Sequence, residues 1–246
     1  MSNIVVTGAS AGIGAELARQ LGQQGHQLVL GARRLEKLRE VAASIEAPTE
    51  CVPTDVTRRS DVEALRDVAL ERFGAIDVWG NNAGRGITQL TLDLTDEDLD
   101  EMWANNVKSV LYGVQAVVPH KKERGRGQII NVSSFLGRVP AVTARSAYSA
   151  CKAAVNSLTA NLRSDLRDSG IAVTLIIPGM VATSFQANAR HAPPTQPAAP
   201  PGVPIQTAAE VAAVIARTIE DPVAEIYTNP AHEAVVAKYY EPITKG

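Results

Sequence analysis

Short apolar runs rich in β-branched residues recur along the chain, and longer stretches with helical spacing of apolar residues separate them. The runs span residues 4–6, 27–30, 51–52, 76–78, 128–132, 173–177 and 225–227. Runs that are apolar at successive positions are typical of strands buried on both faces of a parallel sheet. The pattern therefore predicts about seven parallel strands.

The intervening stretches are long enough to form helices that cross over between parallel strands. They cover residues 15–24, 35–45, 61–73, 96–118, 147–168 and 208–220. This alternation predicts an α/β fold, a doubly wound Rossmann-type parallel sheet with helices on both faces. No polar linker divides the 246 residues, so we expect residues 1–246 to form a single domain.

Composition narrows the class of partner. With 45% apolar residues, 20% charged residues and a net charge of -2, the chain has no overall charge that would attract nucleic acid or an anionic membrane. Small molecules are therefore the expected partners. Cys51 and Cys151 are too few and too far apart to predict a disulfide framework or a zinc site. The chain shows no signal-peptide pattern and no apolar run of membrane-spanning length, so we expect a cytoplasmic location.

The glycine-rich stretch VTGASAGIGAEL, residues 5–16, allows two interpretations. One is a nucleophile elbow with Ser10 as the attacking serine, but that needs an oxyanion loop from an earlier strand, and only six residues precede Thr7. A P-loop is excluded because Ala15 and Glu16 follow Gly14 where Lys and Ser or Thr are required. The other is a loop that lets a dinucleotide pyrophosphate approach main-chain N–H groups at a helix N-terminus. We favour this second interpretation over the first and over a glycine-rich turn without a ligand.

Tyr148 and Lys152 are four residues apart in a predicted helix, which places both side chains on one face, roughly 6 Å apart along the axis. A free tyrosine, with a pKa of about 10, is a poor proton relay at neutral pH. One ammonium at about 4 Å, with an effective dielectric constant near 20, supplies about 4 kcal/mol, enough to lower that pKa by about two to three units. We therefore expect Lys152 to make the phenol of Tyr148 acidic.

A hydroxyl at the carboxyl end of the fifth apolar run would complete this pair, and both Ser133 and Ser134 lie there. Such a hydroxyl can polarise a carbonyl while Tyr148 protonates the oxygen that hydride attack makes negative. Either serine can fill the role, and Ser134 is favoured. Alone, the Tyr-x-x-x-Lys pair is typical of a packed helix and the serines of a strand-end cap, but behind a dinucleotide loop they indicate an active site.

Taken together, these motifs resemble the short-chain dehydrogenase/reductase (SDR) family, in its form of about 250 residues, over the whole chain. The matching residues are Thr7-Gly8-x-x-x-Gly12-x-Gly14, Asp55-Val56, Asn81-Asn82-Ala83-Gly84, Asn106, Ser134, Tyr148-x-x-x-Lys152 and Pro178-Gly179 followed by Thr183. The resemblance implies a catalytic tetrad of Asn106, Ser134, Tyr148 and Lys152. In it Tyr148 is the general acid/base, Ser134 orients the substrate oxygen, Lys152 also holds the nicotinamide ribose, and Asn106 anchors a water in a proton relay. Without the resemblance, Asn106 is interpreted as a solvated or capping amide.

The same resemblance implies where a nicotinamide dinucleotide binds. It assigns Asp55 and Val56 to the adenine, residues 82–84 to the ribose, and Val181 and Thr183 to the carboxamide. The complete expected set is Thr7, Gly8, Ser10, Gly12, Ile13, Gly14, Arg33, Arg34, Asp55, Val56, Asn82, Ala83, Gly84, Tyr148, Lys152, Pro178, Gly179, Val181 and Thr183. No metal is expected.

The end of the second apolar run bears on the choice of cofactor. NAD usually requires an acid there to accept from the ribose hydroxyls, whereas an arginine favours the 2′-phosphate of NADP. Arg33 and Arg34 follow this run and no acid does, so NADP (NADPH) is expected and NAD is less favoured. Arg33 can stack on the adenine and pair with the phosphate. Two solvated arginines opening a helix are the alternative, and Ala11 stands where many NADP-using relatives carry a second basic residue.

Two segments interrupt the regular alternation. The basic residues 120–126 lie between a long helix and a strand, and we interpret them as a solvated helix end with cations favoured by the dipole. Residues 191–204 hold six prolines and exclude regular helix or central strand. A substrate loop or lid over about residues 180–206 is favoured over a surface excursion. Phe185 and the scarcity of charges there suggest an apolar or mixed pocket.

The sequence thus predicts an NADP(H)-dependent carbonyl reductase or alcohol dehydrogenase acting on a ketone, an aldehyde or a secondary alcohol. A redox-silent nucleotide-sensing or scaffold protein on the same fold is the alternative, since fold does not guarantee chemistry. A homodimer or homotetramer built on the helices at residues 96–118 and 147–168 is expected from the family resemblance and from the prevalence of closed homo-oligomers.

Overall fold

A computed structural model describes residues 1–140, 142–194 and 204–240. Its strands are β1 (Asn3–Thr7), β2 (Gln27–Ala32), β3 (Thr49–Pro53), β4 (Val78–Asn81), β5 (Gly127–Val132), β6 (Ile171–Ile177), β7 (Met180–Ala182), β8 (Ile205–Thr207) and β9 (Glu225–Tyr227). Seven of them form one parallel sheet in the order β3-β2-β1-β4-β5-β6-β9, and β7 pairs in parallel with β8. The predicted doubly wound sheet is confirmed.

The helices are α1 (Gly12–Gln23), α2 (Leu35–Ala42), α3 (Arg59–Phe73), α4 (Asp96–Trp103), α5 (Ser109–Arg124), α6 (Ser146–Asp165), α7 (Ala208–Glu220) and α8 (Ala231–Tyr239). Successive strand residues point to opposite faces of the sheet, and both faces carry apolar side chains. The helices therefore cover both faces. Ile4 and Val6 pack with residues of α1, α2 and α7, whereas Val5 packs with residues of α3 and α5. Among the helices of the described ranges, none combines the length and the hydrophobicity that a membrane span requires.

Strand β4 begins later than residues 76–78 predicted. The main-chain N–H of Ile76 donates to Nε2 of His120, and its carbonyl accepts from Nζ of Lys121. These side chains replace strand partners, so regular pairing begins at Val78 and continues into the polar Asn81. The apolar pattern could not show this, because the partners come from α5.

The predicted single helix 96–118 is interrupted by a π-helical segment, Ala104–Lys108, between α4 and α5. Asn106 lies in this segment and is fully buried, which excludes its interpretation as a solvated amide. Its Nδ2 donates to the carbonyls of Met102 (3.0 Å) and Arg85 (2.9 Å). A π-bulge inserts one residue into a helix and is frequent at functional sites. Here it turns the amide of Asn106 inward.

The interpretation of residues 120–126 as a solvated helix end is wrong for Lys121. This side chain is 0% exposed, and its Nζ donates to the carbonyls of Ile76 (2.9 Å) and Asp77 (2.8 Å). Arg124 also donates to the carbonyl of Ile76 and pairs with Asp77. Burial lowers the pKa of Lys121 to about 7. The two cations therefore bind the chain just before β4 instead of facing water.

The predicted substrate loop, about 180–206, is described in part, and residues 195–203 lie outside the described ranges. Before that gap, the main chain of Arg190 donates to Gly86 and accepts from Thr88. Its guanidinium pairs with Asp98 and Glu101 of α4. These contacts hold the first part of the loop against the chain that follows β4.

Candidate active site

In a doubly wound sheet, ligands bind at the carboxyl ends of the strands, at the point where the strand order reverses. In this sheet the reversal lies between β1 and β4, since β2 and β3 extend to one side of β1 and β4 to β9 extend to the other. The glycine loop follows β1, and residues 82–84 follow β4. The structure therefore brings these two motifs together at one crevice.

The glycine positions of this loop are tightly packed. Gly8 and Gly12 have φ values of +68° and +55°, which glycine tolerates best. A Cβ on Gly8 would lie 2.8 Å from the Cα of Ala83, and one on Gly14 would lie 2.4 Å from the carbonyl oxygen of Gly8. A cavity of about 290 Å³ adjoins the loop. It is lined in part by Ser10, Gly12, Lys37, Thr183 and Ala208.

Residues 82–84 hold the glycine loop in place. Nδ2 of Asn82 donates to the carbonyl of Thr7 (2.9 Å), while the main-chain N–H groups of Asn82 and Ala83 donate to Oγ1 of Thr7. Gly84 permits the approach of the catalytic candidates, because a Cβ there would lie 2.9 Å from Oδ1 of Asn106 and 3.5 Å from Nζ of Lys152. The side-chain amide of Asn82 thus donates its hydrogen bonds to the main chain of the glycine loop.

The other expected cofactor residues lie around the same edge. Asp55 follows β3, and its Oδ1 accepts from the N–H and the hydroxyl of Thr57. Arg33 and Arg34 follow β2 and are exposed. Ile13 packs against the core beneath α1, and Val56 packs on the opposite face.

The segment after β6 approaches the glycine loop from the other side. The carbonyl of Pro178 accepts from the N–H of Phe135 (2.8 Å), next to Ser134. Gly179 touches the ring of His232, because a Cβ there would lie 2.1 Å from Cε1. A Cβ on Gly12 would lie 3.2 Å from Cγ2 of Thr183. Val181 lies between these contacts, on β7.

Ser134, Tyr148 and Lys152 meet at the carboxyl end of β5. Tyr148 and Lys152 lie on the buried face of α6, with Nζ of Lys152 at 5.7 Å from the centre of the Tyr148 ring. Nζ also donates to the carbonyl of Val132 (2.9 Å), which fixes the ammonium at the strand end. Ser134 is 8% exposed; its Oγ accepts from the N–H of Leu136 (3.2 Å), and its side chain lies close enough to Tyr148 to lower the pKa of the phenol. The three groups lie together, and Tyr148 and Lys152 share one helix face.

The structure distinguishes the two adjacent serines. Oγ of Ser133 donates to Oδ1 of Asn156 (2.5 Å) and to the carbonyl of Lys152 (3.2 Å), so this hydroxyl belongs to the packing of α6 on β5. Ser134 instead points toward Tyr148. Asn156 was not among the predicted site residues, although it lies one helical turn after Lys152 and on the same face.

Burial dominates the acid–base properties of the pair. It raises the pKa of Tyr148 to about 12, while hydrogen bonding with Ser134 and the charge of Arg145 act in the opposite direction. Burial also lowers the pKa of Lys152 to about 8. The expectation that Lys152 makes the phenol acidic is therefore wrong for this structure. Removing phenolate and ammonium from water disfavours both charged forms, and Lys152 is not among the groups that lower the pKa of Tyr148.

A parallel sheet of this order, with a glycine loop at its switch point and a buried Ser-Tyr-Lys cluster beside it, defines a Rossmann-type oxidoreductase. The family model for short chain dehydrogenases matches residues 2–194. The chain belongs to this family, the short-chain dehydrogenases/reductases. In the described ranges, no group of three or more His, Cys, Asp or Glu side chains is placed to hold a metal ion.

Relatives and solved structures are similar over most of the chain. An uncharacterized oxidoreductase of Staphylococcus epidermidis is 38% identical over 179 residues, which are 73% of this chain and 77% of the relative. A short-chain dehydrogenase/reductase of Burkholderia phymatum in complex with NAD superimposes with a TM-score of 0.86, at 28% identity over 95% of this chain and 91% of that one. An alcohol dehydrogenase of Thermococcus sibiricus complexed with 5-hydroxy-NADP gives a TM-score of 0.79, at 26% identity over 91% and 94%.

Proposed function

We infer that this protein is an NADP(H)-dependent oxidoreductase that transfers a hydride between the nicotinamide and a ketone or aldehyde, or a secondary alcohol. The observation that carries the inference is the buried Tyr148 beside Ser134 and Lys152, at the crevice that the glycine loop opens. Dinucleotide-bound neighbours of the same fold support a nicotinamide cofactor.

The residues at the crevice fit such a cofactor. At Gly8 and Gly14 an added Cβ would meet main chain, so only glycine allows the tight turn that brings this loop to the N-terminus of α1, where a pyrophosphate can bind. The following helix, α1, offers its positive end, and Ala11 at its N-cap makes no side-chain hydrogen bond to it. Lys152 would hold the nicotinamide ribose, Asp55 and Val56 the adenine, and Val181 and Thr183 the carboxamide.

The proposed mechanism for reduction uses Tyr148 as the acid. When bound, the nicotinamide supplies the hydride that the carbonyl carbon accepts. The hydroxyl of Ser134 orients the carbonyl oxygen, and Tyr148 gives its proton to that oxygen as negative charge develops there. With a pKa raised to about 12, Tyr148 holds this proton at neutral pH. Oxidation of an alcohol runs the same steps in reverse, with the phenolate accepting the proton.

One substitution tests this role of Tyr148. Oxidation of NADPH is followed by nicotinamide absorbance with a panel of ketones and aldehydes, and its reduction with secondary alcohols. We expect turnover by the wild type and a loss of at least about 100-fold in Tyr148→Phe, the size typical of a general acid. Phenylalanine keeps the packing of the ring, so folding and NADPH affinity serve as controls. Tight NADPH binding without turnover on any panel member would instead support a nucleotide sensor.

The preference for NADP rests on Arg33 and Arg34. Both are exposed at the carboxyl end of β2, and in the described part of the chain neither pairs with a carboxylate. A guanidinium in this position suits the 2′-phosphate. We expect Arg33→Ala to lower kcat/KM for NADPH about tenfold or more while leaving that for NADH nearly unchanged. Arg39→Ala, which removes an exposed arginine of α2, is the matched control. Equal effects on both cofactors would contradict the assignment.

A homo-oligomer is also proposed. Large apolar side chains on α4 to α6 remain exposed, namely Leu99 (47%), Trp103 (44%), Leu111 (38%) and Leu158 (40%). A homodimer or homotetramer that packs these helices together would cover them. Gel filtration at working concentration tests this, and a monomer would reject it. Both cysteines are free thiols, which is compatible with a reducing compartment such as the cytoplasm.

A further inference from the structure

Arg145 lies at the start of α6, three residues before Tyr148, and is half-buried. Its Nη1 donates to the carbonyl of Ile87 (2.7 Å). Within the described ranges this is its one side-chain hydrogen bond, and no carboxylate lies within 4.0 Å of it. A guanidinium carries five N–H donors, so this one keeps most of them available.

The guanidinium lies close to the reacting groups. The side chain of Ile87, whose carbonyl it binds, packs in the same apolar cluster as Tyr148, with Phe185 at the edge. The ring of Phe185 is centred 5.7 Å from the ring of Tyr148. The charge of Arg145 lowers the pKa of Tyr148, and Tyr148 in turn raises that of Arg145. Arg145 therefore borders the space where a substrate must approach the phenol.

The acids nearby are already paired with other cations. Asp98 binds Arg190 and His191, and Glu101 binds Arg85 and Arg190. This leaves the charge of Arg145 without a partner among the described residues. Burial without an acid also lowers the pKa of Arg145.

Helix stability does not explain this arginine. A cation at a helix N-terminus is disfavoured by the helix dipole, and Arg145 makes no side-chain capping bond. Its remaining N–H donors are therefore available to a polar ligand group.

We propose that Arg145 binds a carboxylate of the substrate, so that the preferred substrates are oxo acids or the matching hydroxy acids. This proposal rests on the proposed function and names its substrate class. A guanidinium matches a carboxylate with two parallel hydrogen bonds, and partial burial strengthens the pair. The carboxylate also supplies the negative charge that this part of the site lacks. The apolar cluster around Tyr148 and Phe185 would receive the carbon chain.

The test compares acids with neutral analogues of the same shape. Initial rates of NADPH oxidation are measured with 2-, 3- and 4-oxo acids and with the methyl ester of each, using the wild type, Arg145→Gln and Arg145→Lys. Arg126→Gln, which changes an exposed arginine at the opposite edge of the sheet, is the matched control. The ratio of kcat/KM for acid to kcat/KM for ester is the readout, because an effect of Arg145 on Tyr148 alters both values alike.

We expect the wild type and Arg126→Gln to prefer at least one acid over its ester by about 10- to 100-fold. Arg145→Gln should bring that ratio close to one, and Arg145→Lys should keep part of it. Turnover of esters at rates equal to or above those of all the acids would overturn the carboxylate assignment and leave the proposed function standing. So would an unchanged ratio in Arg145→Gln.

A binding measurement covers the case of no turnover on any carbonyl compound, which would refute the proposed function itself. Calorimetry of the NADPH-loaded protein with 4-oxopentanoate and with its methyl ester then decides the inference separately. Binding of the acid that is lost in Arg145→Gln supports the carboxylate site. Absence of such binding in the wild type, or binding that Arg145→Gln retains, overturns it.

Discussion

The glycine loop allows a matched pair of substitutions, because Gly8 and Gly25 share a backbone conformation but differ in their surroundings. Their φ values are +68° and +80°. A Cβ on Gly8 would lie 2.8 Å from the Cα of Ala83 and 3.1 Å from its nitrogen, whereas a Cβ on Gly25 would meet nothing within 4 Å. Alanine at either position therefore brings similar backbone strain, and only alanine at position 8 also forces two backbone segments apart.

The expected losses of stability follow from backbone strain and from overpacking. A left-handed non-glycine residue costs about 1–2 kcal/mol, and we expect Gly25→Ala to lose that amount. Overpacking against backbone adds about 1–3 kcal/mol, so Gly8→Ala should lose about 2–5 kcal/mol. For a chain of this size, 1 kcal/mol corresponds to about 2–4 °C in Tm. Gly8→Ala should thus melt several degrees below Gly25→Ala.

The assay is thermal unfolding of both variants with and without NADPH. A ligand at about 100 times its Kd stabilises the folded state by about 2.7 kcal/mol. Gly25→Ala should keep the full NADPH-dependent rise in Tm, while Gly8→Ala should lose most of it, because the displaced loop no longer presents its main-chain N–H groups. Equal losses of Tm in the two variants, with equal responses to NADPH, would refute both the close packing of Gly8 and its place at the cofactor.

Three further predictions concern pH. The rate of secondary-alcohol oxidation should rise by up to about tenfold per pH unit between about pH 7 and 10, because the pKa of Tyr148 is raised to about 12. The rate of carbonyl reduction should show no such rise. Initial rates in both directions check this, and a reduction rate that increases with pH would contradict it. Burial lowers the pKa of Lys121 to about 7 in the folded protein, against about 10.4 in the unfolded chain, so the unfolded chain binds more protons above about pH 7 and stability increases with pH. Lys121→Met should flatten this increase. Urea unfolding at about pH 7.5 and 9.5 measures the change of unfolding free energy with pH, which the substitution leaves unchanged if the lysine is solvated. The partners of Asp98 hold the pKa of its carboxyl well below the usual range, so its stabilising contribution is present above about pH 4 and lost below it. The Tm difference between wild type and Arg190→Met should therefore shrink progressively as pH falls from about 4 to about 2, and a difference that stays constant over this whole range would exclude this pairing.

The fold was predictable because its signals are local. Apolar residues at successive positions of the strand at residues 4–6 indicate burial on both faces, and the structure places Val5 opposite Ile4 and Val6 in separate cores. The spacing of Tyr148 and Lys152 likewise fixes one helical face without knowledge of anything else. Periodicity and spacing within one element were enough for these features.

What the sequence did not show depends on partners from distant elements. The start of β4 is set by His120 and Lys121, which bind the chain at Ile76 from 44 and 45 residues away. The π-helical segment places Asn106 where its amide binds Arg85, 21 residues earlier. The pKa of Tyr148 depends on how completely the folded protein removes the phenol from water. Sequence spacing gives the Coulomb attraction but not this desolvation, and desolvation is the larger effect here.

The distribution of charge around the site connects the two proposals. Glu101 of α4 pairs with both Arg85 and Arg190, and these pairs join the chain after β4 to the substrate loop. Such pairs serve the protein's own structure. Among the described residues, Arg33 at one end of the crevice and Arg145 beside Tyr148 lack an acidic partner, and both are positioned where a ligand is expected. If the 2′-phosphate of NADP neutralises the first, a substrate carboxylate is the matching partner for the second. Each assignment is tested by its own substitution, and a loss of NADPH preference in Arg33→Ala should leave the acid-to-ester ratio unchanged.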